Sequence, residues 1–293
     1  MLRVCPTPIG NLGDITLRVL DALKAADIIA AEDTRRSGRL LEHFGISKPL
    51  ISFYEHNEVR RLPELLERLR AGEEIALVSD AGMPGICDPG YRLIKAALDE
   101  GLPVEVLPGP SALETALVAS GFPSDSFVFL GFLPRKQGEL AAVLSFIASQ
   151  SRTCIAYESP HRLRKTLAAA ADALAGRRMA VCRELTKKFE EIVRGTAPDL
   201  AAGLPEKVKG EIVLVFEGAA ESATATAAAR TGAGSSEAAA RRGIEESLTG
   251  MLADGISVRR AAELLAMATG RPKNSIYKLA LALKNELKKQ PGG

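Results

Sequence analysis

The residues with the clearest chemical pattern form a glycine- and proline-rich loop at 79–90, which reads Ser-Asp-Ala-Gly-Met-Pro-Gly-Ile-Cys-Asp-Pro-Gly. The loop directly follows the run 74–78, which predicts a buried strand. Glycine permits close backbone approach and proline fixes φ, so such a loop can hold N–H and C=O groups ready for a ligand. We predict a ligand cradle here; the alternatives are an ordinary βα connection and, for Asp80 and Asp88, helix or turn caps.

A second rigid loop, Pro6 to Asp14, follows the first apolar run and precedes a helix for which Asp14 or Thr16 is the predicted cap. Loops at the carboxyl ends of strands in one sheet lie at the same edge, so we expect the two loops to face each other. The chain has no GxGxxG, GxxxxGK[ST] or GxSxG motif, which argues against a dinucleotide site, a P-loop and a serine hydrolase. Its four cysteines and three histidines lack metal-ligand spacing, so we predict reduced cysteines and no metal site.

The elements that must position these loops alternate in a βα rhythm. Short apolar runs separated by amphipathic stretches predict a parallel sheet from strands at 2–5, 28–31, 50–53, 75–78 and 104–107. A second set predicts strands at 127–131, 153–157, 179–183, 190–194 and 211–216. The third and fourth of these are close enough for a hairpin, which predicts a mixed sheet. We therefore predict two α/β domains, 1–110 and 111–218.

The last part of the chain differs in composition. Residues 219–236 are almost wholly Ala, Thr, Ser and Gly, which predicts a flexible linker. Beyond it, Ser257 is the predicted cap of a helix at 258–268, and a second helix at 273–287 completes a helix-turn-helix-like hairpin. Residues 237–293 hold ten Lys and Arg against six Asp and Glu. This basic helical domain predicts a nucleic-acid footprint, with a packing or dimerisation module as the alternative.

Composition sets the class of protein. With 293 residues and 46% hydrophobic residues, the chain can build sizeable cores. The N-terminus lacks a basic region followed by an apolar stretch, and no apolar run approaches the roughly 20 residues that span a bilayer. We therefore expect a soluble, cytoplasmic protein that does not contact membranes.

Seven motifs in order along residues 1–218 resemble the 16S ribosomal RNA cytidine 2'-O-methyltransferase family. These motifs are PTPIGN at 6–11, AEDTR at 31–35, EHN at 55–57, the loop at 79–90, LPGPS at 107–111, YESPHR at 157–162 and RELTK at 183–187. The resemblance implies a tetrapyrrole-methylase-like fold of two α/β domains plus a small C-terminal helical domain. It implies S-adenosylmethionine in the cleft between the α/β domains, and methyl transfer to a ribose 2'-hydroxyl of a decoding-centre cytidine.

The resemblance also implies partners and one departure. The substrate is expected to be 16S rRNA or the assembled small ribosomal subunit, and the chain is expected to form a homodimer. Met83 stands where the family usually has threonine in the 79–90 loop, which removes one hydroxyl but leaves the backbone cradle. Two other functions are open: a small-molecule tetrapyrrole methyltransferase, against which the basic tail argues, and a ribosome-binding protein without catalysis, against which the retained loops argue.

Methyl transfer requires alignment of the acceptor oxygen, the methyl group and the sulfur, together with loss of the acceptor proton; it needs no metal. Glu32 and Asp33 follow the second strand and are the first candidates for the proton acceptor, although Asp33 could instead cap a helix. His56 is the second candidate, since its ordinary pKa suits proton transfer, and an exposed or structural role is its alternative. Lys187 could steady developing negative charge or bind phosphate.

The remaining candidates are binding residues. For the cofactor we predict contacts from three cradle loops, which follow the strands predicted at 2–5, 75–78 and 104–107, and from the ESP motif at 158–160. The residues are Pro8, Gly10, Ser79, Asp80, Ala81, Gly82, Met83, Pro84, Ile86, Pro110, Ser111, Glu158, Ser159 and Pro160. Ser111 is also the predicted cap of a helix at 111–120, and helix N-termini attract carboxylates. For RNA phosphates we predict the basic residues Arg35, Arg36, Arg162, Arg183, Arg259, Arg260, Lys273 and Lys278.

Overall fold

The structure is a computed structural model that describes residues 1–174, 176–205, 207–219, 235–253, 256–269 and 271–287. The chain divides into two compact units, Met1–Ala219 and Ala220–Gly293. Most of the linker predicted at 219–236 lies outside the described residues. Among the helices that the structure describes, none has the length and apolar character needed to cross a membrane.

The first sheet is wholly parallel, as predicted, with strand order β3-β2-β4-β1-β5. Its strands are β1 (Leu2–Val4), β2 (Ile28–Ala31), β3 (Leu50–Ser52), β4 (Ile75–Val78) and β5 (Val104–Val106). The helices between and after them are α1 (Leu17–Ala25), α2 (Thr34–His43), α3 (Glu58–Arg70), α4 (Tyr91–Asp99) and α5 (Ala112–Ser120). Every residue of β2 and β4 is buried because α3 and α4 cover one face of the sheet while α1 and α2 cover the other.

The second sheet is mixed, with order β6-β7-β10-β8-β9. Its strands are β6 (Phe127–Phe132), β7 (Thr153–Glu158), β8 (Arg178–Arg183), β9 (Glu191–Thr196) and β10 (Ile212–Phe216). The strands β6 and β7 are parallel and the other pairs are antiparallel, so the predicted β8–β9 hairpin is confirmed. The helices α6 (Gln137–Ser149), α7 (Leu163–Leu174) and α8 (Ala197–Gly203) cover one face, and α5 packs on the other.

The parallel-sheet lobe carries β1 to β5, and the mixed-sheet lobe carries β6 to β10. Both belong to the first unit, and a shared apolar cluster joins them. In that cluster Ile9, from the loop after β1, is buried with Leu117 of α5 and with Leu185, which follows β8. The loop after β1 is therefore held at the junction of the two lobes.

The second unit contains three described helices, α9 (Ser235–Ala253), α10 (Val258–Thr269) and α11 (Lys273–Leu287). Its core includes Ile244, Leu248, Leu265 and Ile276. The predicted cap is confirmed, since Ser257 Oγ accepts a hydrogen bond from Arg260 N at 3.3 Å. The sequence patterns did not locate α9, because its first residues, 235–243, have no apolar periodicity.

Candidate active site

Three loops converge at Gly82, each at the carboxyl end of a strand in the parallel sheet. Thr7 N donates to Gly82 O at 3.0 Å and Gly82 N donates to Thr7 O at 2.9 Å, so the loops after β1 and β4 are bridged as predicted. A Cβ at Gly82 would lie 3.6 Å from Ile9 Cγ2 and 3.8 Å from Pro110 O, which brings in the loop after β5. Gly82 has φ +77°, a conformation that glycine adopts without strain.

Side chains reinforce this convergence. Thr7 Oγ1 donates to Ser79 O at 3.0 Å, and both residues are buried. Gly109 packs so tightly on the loop after β1 that a Cβ there would lie 2.6 Å from Pro6 Cγ. The position of one loop therefore fixes the position of the others.

In the 79–90 loop, some of the predicted cofactor residues are buried and others are exposed. Met83 packs against the core of the parallel sheet, so the side chain at this departure from the family pattern has a packing role. Ala81 packs against the cluster that joins the lobes, Pro84 is buried, and Ile86 is exposed. Of these four side chains Ile86 is the exposed one, and the other three are buried or partly buried.

Carboxylates gather where β2 and β4 end. Glu32 Oε2 accepts from Asp80 N at 3.2 Å, and Asp80 Oδ1 accepts from Asp33 N at 3.1 Å. Burial raises the pKa of Glu32, although the bond from Asp80 N opposes the shift. Burial, helped by the negative charge of Glu32, raises the pKa of Asp88 to about 7. This edge of the sheet therefore carries one carboxyl group, that of Asp88, that can hold a proton close to neutral pH.

Asp33 is a helix cap, which confirms the structural alternative. Its Oδ1 accepts from Arg35 N at 2.8 Å at the start of α2, and its Oδ2 lies 3.2 Å from Arg35 Nη2. The hydrogen bonds from Arg35 lower the pKa of Asp33, so it is a weak proton acceptor. Arg36 Nη1 donates to Asp80 Oδ2 at 3.1 Å. Both arginines are exposed next to the carboxylates rather than on a separate basic surface.

His56 is exposed, and its ring lies edge-on to Tyr54 at 6.3 Å between centroids. Its neighbour Asn57 is buried and shapes the turn, because Asn57 Oδ1 accepts from Tyr54 N at 2.8 Å and Nδ2 donates to Ser52 O at 3.1 Å. The motif at 55–57 thus combines a structural asparagine with a histidine that is open to solvent at the end of β3.

Lys187 reaches the cofactor loops from the mixed-sheet lobe. A Cβ at Gly10 would overlap Lys187 Cγ and lie 2.9 Å from Lys187 Cε, so the lysine stem covers the loop after β1. Its Nζ donates to Glu184 Oε1 at 2.9 Å and to Glu211 Oε2 at 3.0 Å. Burial alone would lower the pKa of Lys187, but the two carboxylates raise it, so the ammonium stays charged.

At the end of the β5 loop, Ser111 caps α5, as predicted: its Oγ accepts from Glu114 N at 3.4 Å. The first turn of α5 therefore follows Pro110 directly at the convergence point. Positive partial charge at such a helix end favours a carboxylate.

The ESP motif of the mixed-sheet lobe has a different geometry from the one expected. The Glu158 side chain is fully buried, accepts from Ser159 N at 2.6 Å and from Thr166 Oγ1 at 2.5 Å, and forms an ion pair with Arg162. Arg162 also donates to Pro134 O at 2.9 Å and Leu133 O at 2.8 Å. Because its carboxylate is enclosed, Glu158 can order the turn that carries Ser159 and Pro160, but its side chain cannot contact a ligand.

The other predicted RNA-binding cations fall into two groups. Arg183 lies in an ion pair with Glu191, with Nη2 and Oε2 separated by 2.9 Å. In the second unit Glu263 pairs with Arg260 at 3.4 Å and with Lys273 at 2.7 Å. Arg259 and Lys278 are exposed, and within the described part of the chain neither has an ion-pair partner. Arg259 and Lys278 are therefore the cations of this set that are free to meet a phosphate.

Several residues that sequence reasoning did not assign to the site lie in it. Asp88 was considered only as a cap, yet it lies among Glu32, Asp80 and Ser79. Thr7 bridges the two loops, and Glu184 holds Lys187. Glu184 and Thr7 each lie inside one of the seven motifs, and that position was the one sequence feature that could have pointed to them. Their contacts could not be predicted from the motifs, because they join residues far apart in the chain.

Comparisons with known proteins agree with this architecture. The family described as Tetrapyrrole (Corrin/Porphyrin) Methylases matches residues 1–201, and the family described as RsmI C-terminal HTH domain matches residues 244–284. The structure is similar to that of the methyltransferase CobJ, with a TM-score of 0.58 and 23% identity over 75% of this chain and 94% of CobJ. It is similar to diphthine synthase with a TM-score of 0.58 and 14% identity over 74% and 89% of the two chains. The fold is that of the tetrapyrrole methylases.

Similarity to curated proteins shows to which family within the tetrapyrrole methylases the chain belongs. The chain is 44% identical over 288 residues to the Vibrio cholerae protein named Ribosomal RNA small subunit methyltransferase I, covering 96% of this chain and 94% of that protein. It is 43% identical to the protein of that name from Escherichia coli O157:H7, with the same coverage. Within the tetrapyrrole methylases, the chain belongs to the ribosomal RNA small subunit methyltransferase I family. It is a methyltransferase whose methyl donor is S-adenosylmethionine.

The residues at the convergence point fit this donor. S-adenosylmethionine carries a sulfonium cation and an amino-acid carboxylate. The carboxylate of Asp80 complements the positive charge, and the N-terminus of α5 at Ser111 complements the carboxylate of the donor. Gly10 lies under the stem of Lys187, so the absence of a side chain at Gly10 lets the lysine pack against the loop after β1.

Proposed function

We propose that this protein transfers a methyl group from S-adenosylmethionine to the ribose 2'-hydroxyl of a cytidine in the decoding centre of 16S rRNA. The observation that carries the proposal is the 44% identity, over 96% of the chain, to a protein named for methylation of small subunit ribosomal RNA. The match of the second unit to a helix-turn-helix family supports an RNA substrate, because such helices bind nucleic acids.

The three cradle loops would hold the cofactor. Backbone groups of Ser79 to Pro84, with Ile86, would line one side, and Pro8 and Gly10 would lie next to them. Pro110 and Ser111 would meet the amino-acid carboxylate at the start of α5, while Ser159 and Pro160 would close over the adenosyl group from the mixed-sheet lobe. When bound, the cofactor supplies an electrophilic methyl group on a positively charged sulfur.

Among Glu32, Asp33 and His56, the geometry favours Glu32 as the proton acceptor. It lies at the end of β2 and is joined to the cradle through Asp80 N, and its raised pKa brings proton uptake closer to neutral pH. Asp33 is engaged as a cap, and His56 has only an edge contact with Tyr54. Lys187 would stabilise negative charge as it develops on the acceptor oxygen, since its charged ammonium lies beside the β1 loop.

RNA phosphates would be met by the exposed cations of both units. In the first unit Arg35 and Arg36 lie at the edge that carries the carboxylates. In the second unit the predicted cations Arg259 and Lys278 are exposed and, within the described residues, outside ion pairs. The other six predicted cations already have partners, so a phosphate would have to compete for Arg35, Arg36, Arg162, Arg183, Arg260 and Lys273.

We also propose a domain boundary, the form of the substrate, a cellular location and an oligomeric state. We place the boundary between the two α/β domains at 110/111, because the β5 loop ends there and α5 packs on the second sheet. The assembled small subunit, a cytoplasmic location and a homodimer are parts of the same proposal. A small-molecule tetrapyrrole substrate has in its favour the family model that matches residues 1–201 and structural likeness at 23% identity or less, both of which concern the fold.

The test uses purified protein, labelled S-adenosylmethionine and small ribosomal subunits from cells that lack this activity. Mass spectrometry of nuclease fragments should place the label on the ribose of one decoding-centre cytidine. Glu32→Gln should lower the single-turnover rate by about 10²- to 10⁴-fold with little change in cofactor affinity. Label on a base or on protein, or none at all with cofactor bound, would refute the proposed acceptor.

A further inference from the structure

The connection between β8 and β9, residues 184–190, carries an exposed aromatic ring that the fold does not need. Phe189 is 68% exposed, and Lys188 Nζ lies 5.7 Å from the centroid of its ring. Both side chains extend from a unit that already has four apolar clusters. An exposed ring with a cation close to its face offers an apolar contact and a charged contact side by side.

The turn that presents Phe189 is held firmly. Thr186 N donates to Glu190 Oε2 at 2.6 Å, and Glu190 N donates to Lys187 O at 3.1 Å. Glu184 and Thr186 have φ values of 52° and 66°, which residues other than glycine rarely adopt. Such strain persists only where surrounding contacts enforce it, and it concentrates at functional sites. The backbone that presents the ring is therefore held in place by contacts within the turn.

The same turn lies beside the cofactor loops. The stem of Lys187 covers Gly10, and Leu185 is buried in one cluster with Ile9. Phe189 follows Lys187 by two residues, so their Cα atoms are at most about 7 Å apart. The turn that carries the exposed ring therefore lies next to the residue that packs on the loop after β1.

Resting on the proposed RNA substrate, we propose that Phe189 is a stacking platform for a nucleobase next to, or at, the methylated ribose, and that Lys188 contacts an adjoining phosphate. Single-stranded RNA is recognised by stacking of unpaired bases on exposed aromatic side chains, combined with cations that follow the backbone. The ring and the cation of this turn supply both contacts. A ribose hydroxyl becomes accessible when its base leaves the helical stack, and an aromatic surface at the rim stabilises that state.

The experiment compares Phe189→Ala, Phe189→Leu and Phe189→Trp in the full-length chain. Affinity for small subunits from cells lacking the activity is measured by co-sedimentation, and methyl transfer and cofactor affinity are measured in parallel. Phe127→Ala is the matched control, since Phe127 is also partly exposed, at 40%, but begins β6 at the opposite end from the ESP turn. All variants except Phe189→Trp remove one aromatic ring.

We expect Phe189→Ala and Phe189→Leu to weaken subunit binding and raise KM for subunits by about 5- to 100-fold, because base stacking on one aromatic residue has that value. Phe189→Trp should stay within about threefold of wild type, and cofactor affinity should not change. Equal affinity of the alanine variant and wild type would overturn the inference, as would full rescue by leucine. A change of oligomeric state on sedimentation would also overturn it, because the ring would then cover a second copy of the chain.

The two proposals fail in different ways. A wild-type chain that binds subunits but labels no cytidine refutes the proposed reaction, while the ratio of affinities between wild type and Phe189→Ala still decides the stacking role. A wild-type chain that does not bind subunits refutes both proposals.

Discussion

Gly10→Ala is expected to separate the stability of this protein from its activity. A Cβ at Gly10 would overlap Lys187 Cγ and lie 2.9 Å from Lys187 Cε, whereas carbon atoms normally pack 3.5–4.0 Å apart. The stem of Lys187 must therefore move by about 1 Å or more. That movement takes Nζ away from Glu184 and Glu211, which it now meets at 2.9 and 3.0 Å.

The expected change in stability is small. Each partly exposed ion pair contributes about 0.5–1 kcal/mol, so the loss of both costs about 1–2 kcal/mol. Replacement of glycine by alanine restricts the unfolded chain and returns about 0.4–1 kcal/mol. The free energy of unfolding should therefore fall by about 1 kcal/mol, which urea denaturation can measure.

The expected change in rate is much larger. If Lys187 stabilises charge on the acceptor oxygen, displacing it should lower the single-turnover rate of methyl transfer by about 10²- to 10³-fold. The comparison that isolates the cause is the set Gly10→Ala, Lys187→Met and the double variant. The new Cβ would meet two atoms of the Lys187 stem and also Thr186 Oγ1 at 2.9 Å, in the same turn. If the effect on the rate passes through Lys187, the double variant should be no slower than Lys187→Met. Losses that multiply in the double variant, or a full rate for Gly10→Ala, would refute the reasoning.

Three further predictions concern other parts of the molecule. Gly82→Ala should lower the free energy of unfolding by about 1–2 kcal/mol, because alanine is strained at a φ of +77°. Steric overlap adds little, since the new Cβ would make only ordinary contacts. A loss below about 0.3 kcal/mol would show that the loop relaxes. Burial raises the pKa of Asp88 from 3.8 to about 7, so ionisation destabilises the folded state progressively from pH 4 to above pH 7. Asp88→Asn should therefore stabilise the protein by on the order of 1–3 kcal/mol at pH 8 but not at pH 4, as judged by urea denaturation at both pH values; equal effects would contradict the assignment. Lys278→Ala should reduce by about one the slope of log affinity for subunits against log salt concentration. Lys273→Ala should change this slope little, because Lys273 is paired with Glu263 at 2.7 Å. Equal slopes for the two variants would contradict this prediction.

Local patterns were sufficient for the elements and the loops. Runs of buried apolar residues predict β2 and β4, since strands covered on both faces must be apolar throughout. The glycine and proline pattern at 79–90 predicts a backbone cradle, because those residues restrict φ and side-chain bulk within a few positions of one another. The caps at Thr16, Ser111 and Ser257 also follow from neighbours in sequence.

Long-range contacts decided which groups can act. No local pattern shows that Asp80 N would bond Glu32, that Asp33 N would bond Asp80, or that Lys187 would lie over Gly10, because each pair joins separate strands or separate lobes.

The sequence by itself therefore determined the order of strands and helices and the composition of the loops, since local sterics and burial patterns act over a few residues. The tertiary structure decided which charges are free. It enclosed Glu158, which sequence reasoning assigned to the ligand, and it left Phe189, which no pattern selected, open to solvent. Burial and charge pairing depend on which strands become neighbours, and that is settled only when the two sheets and their loops pack together.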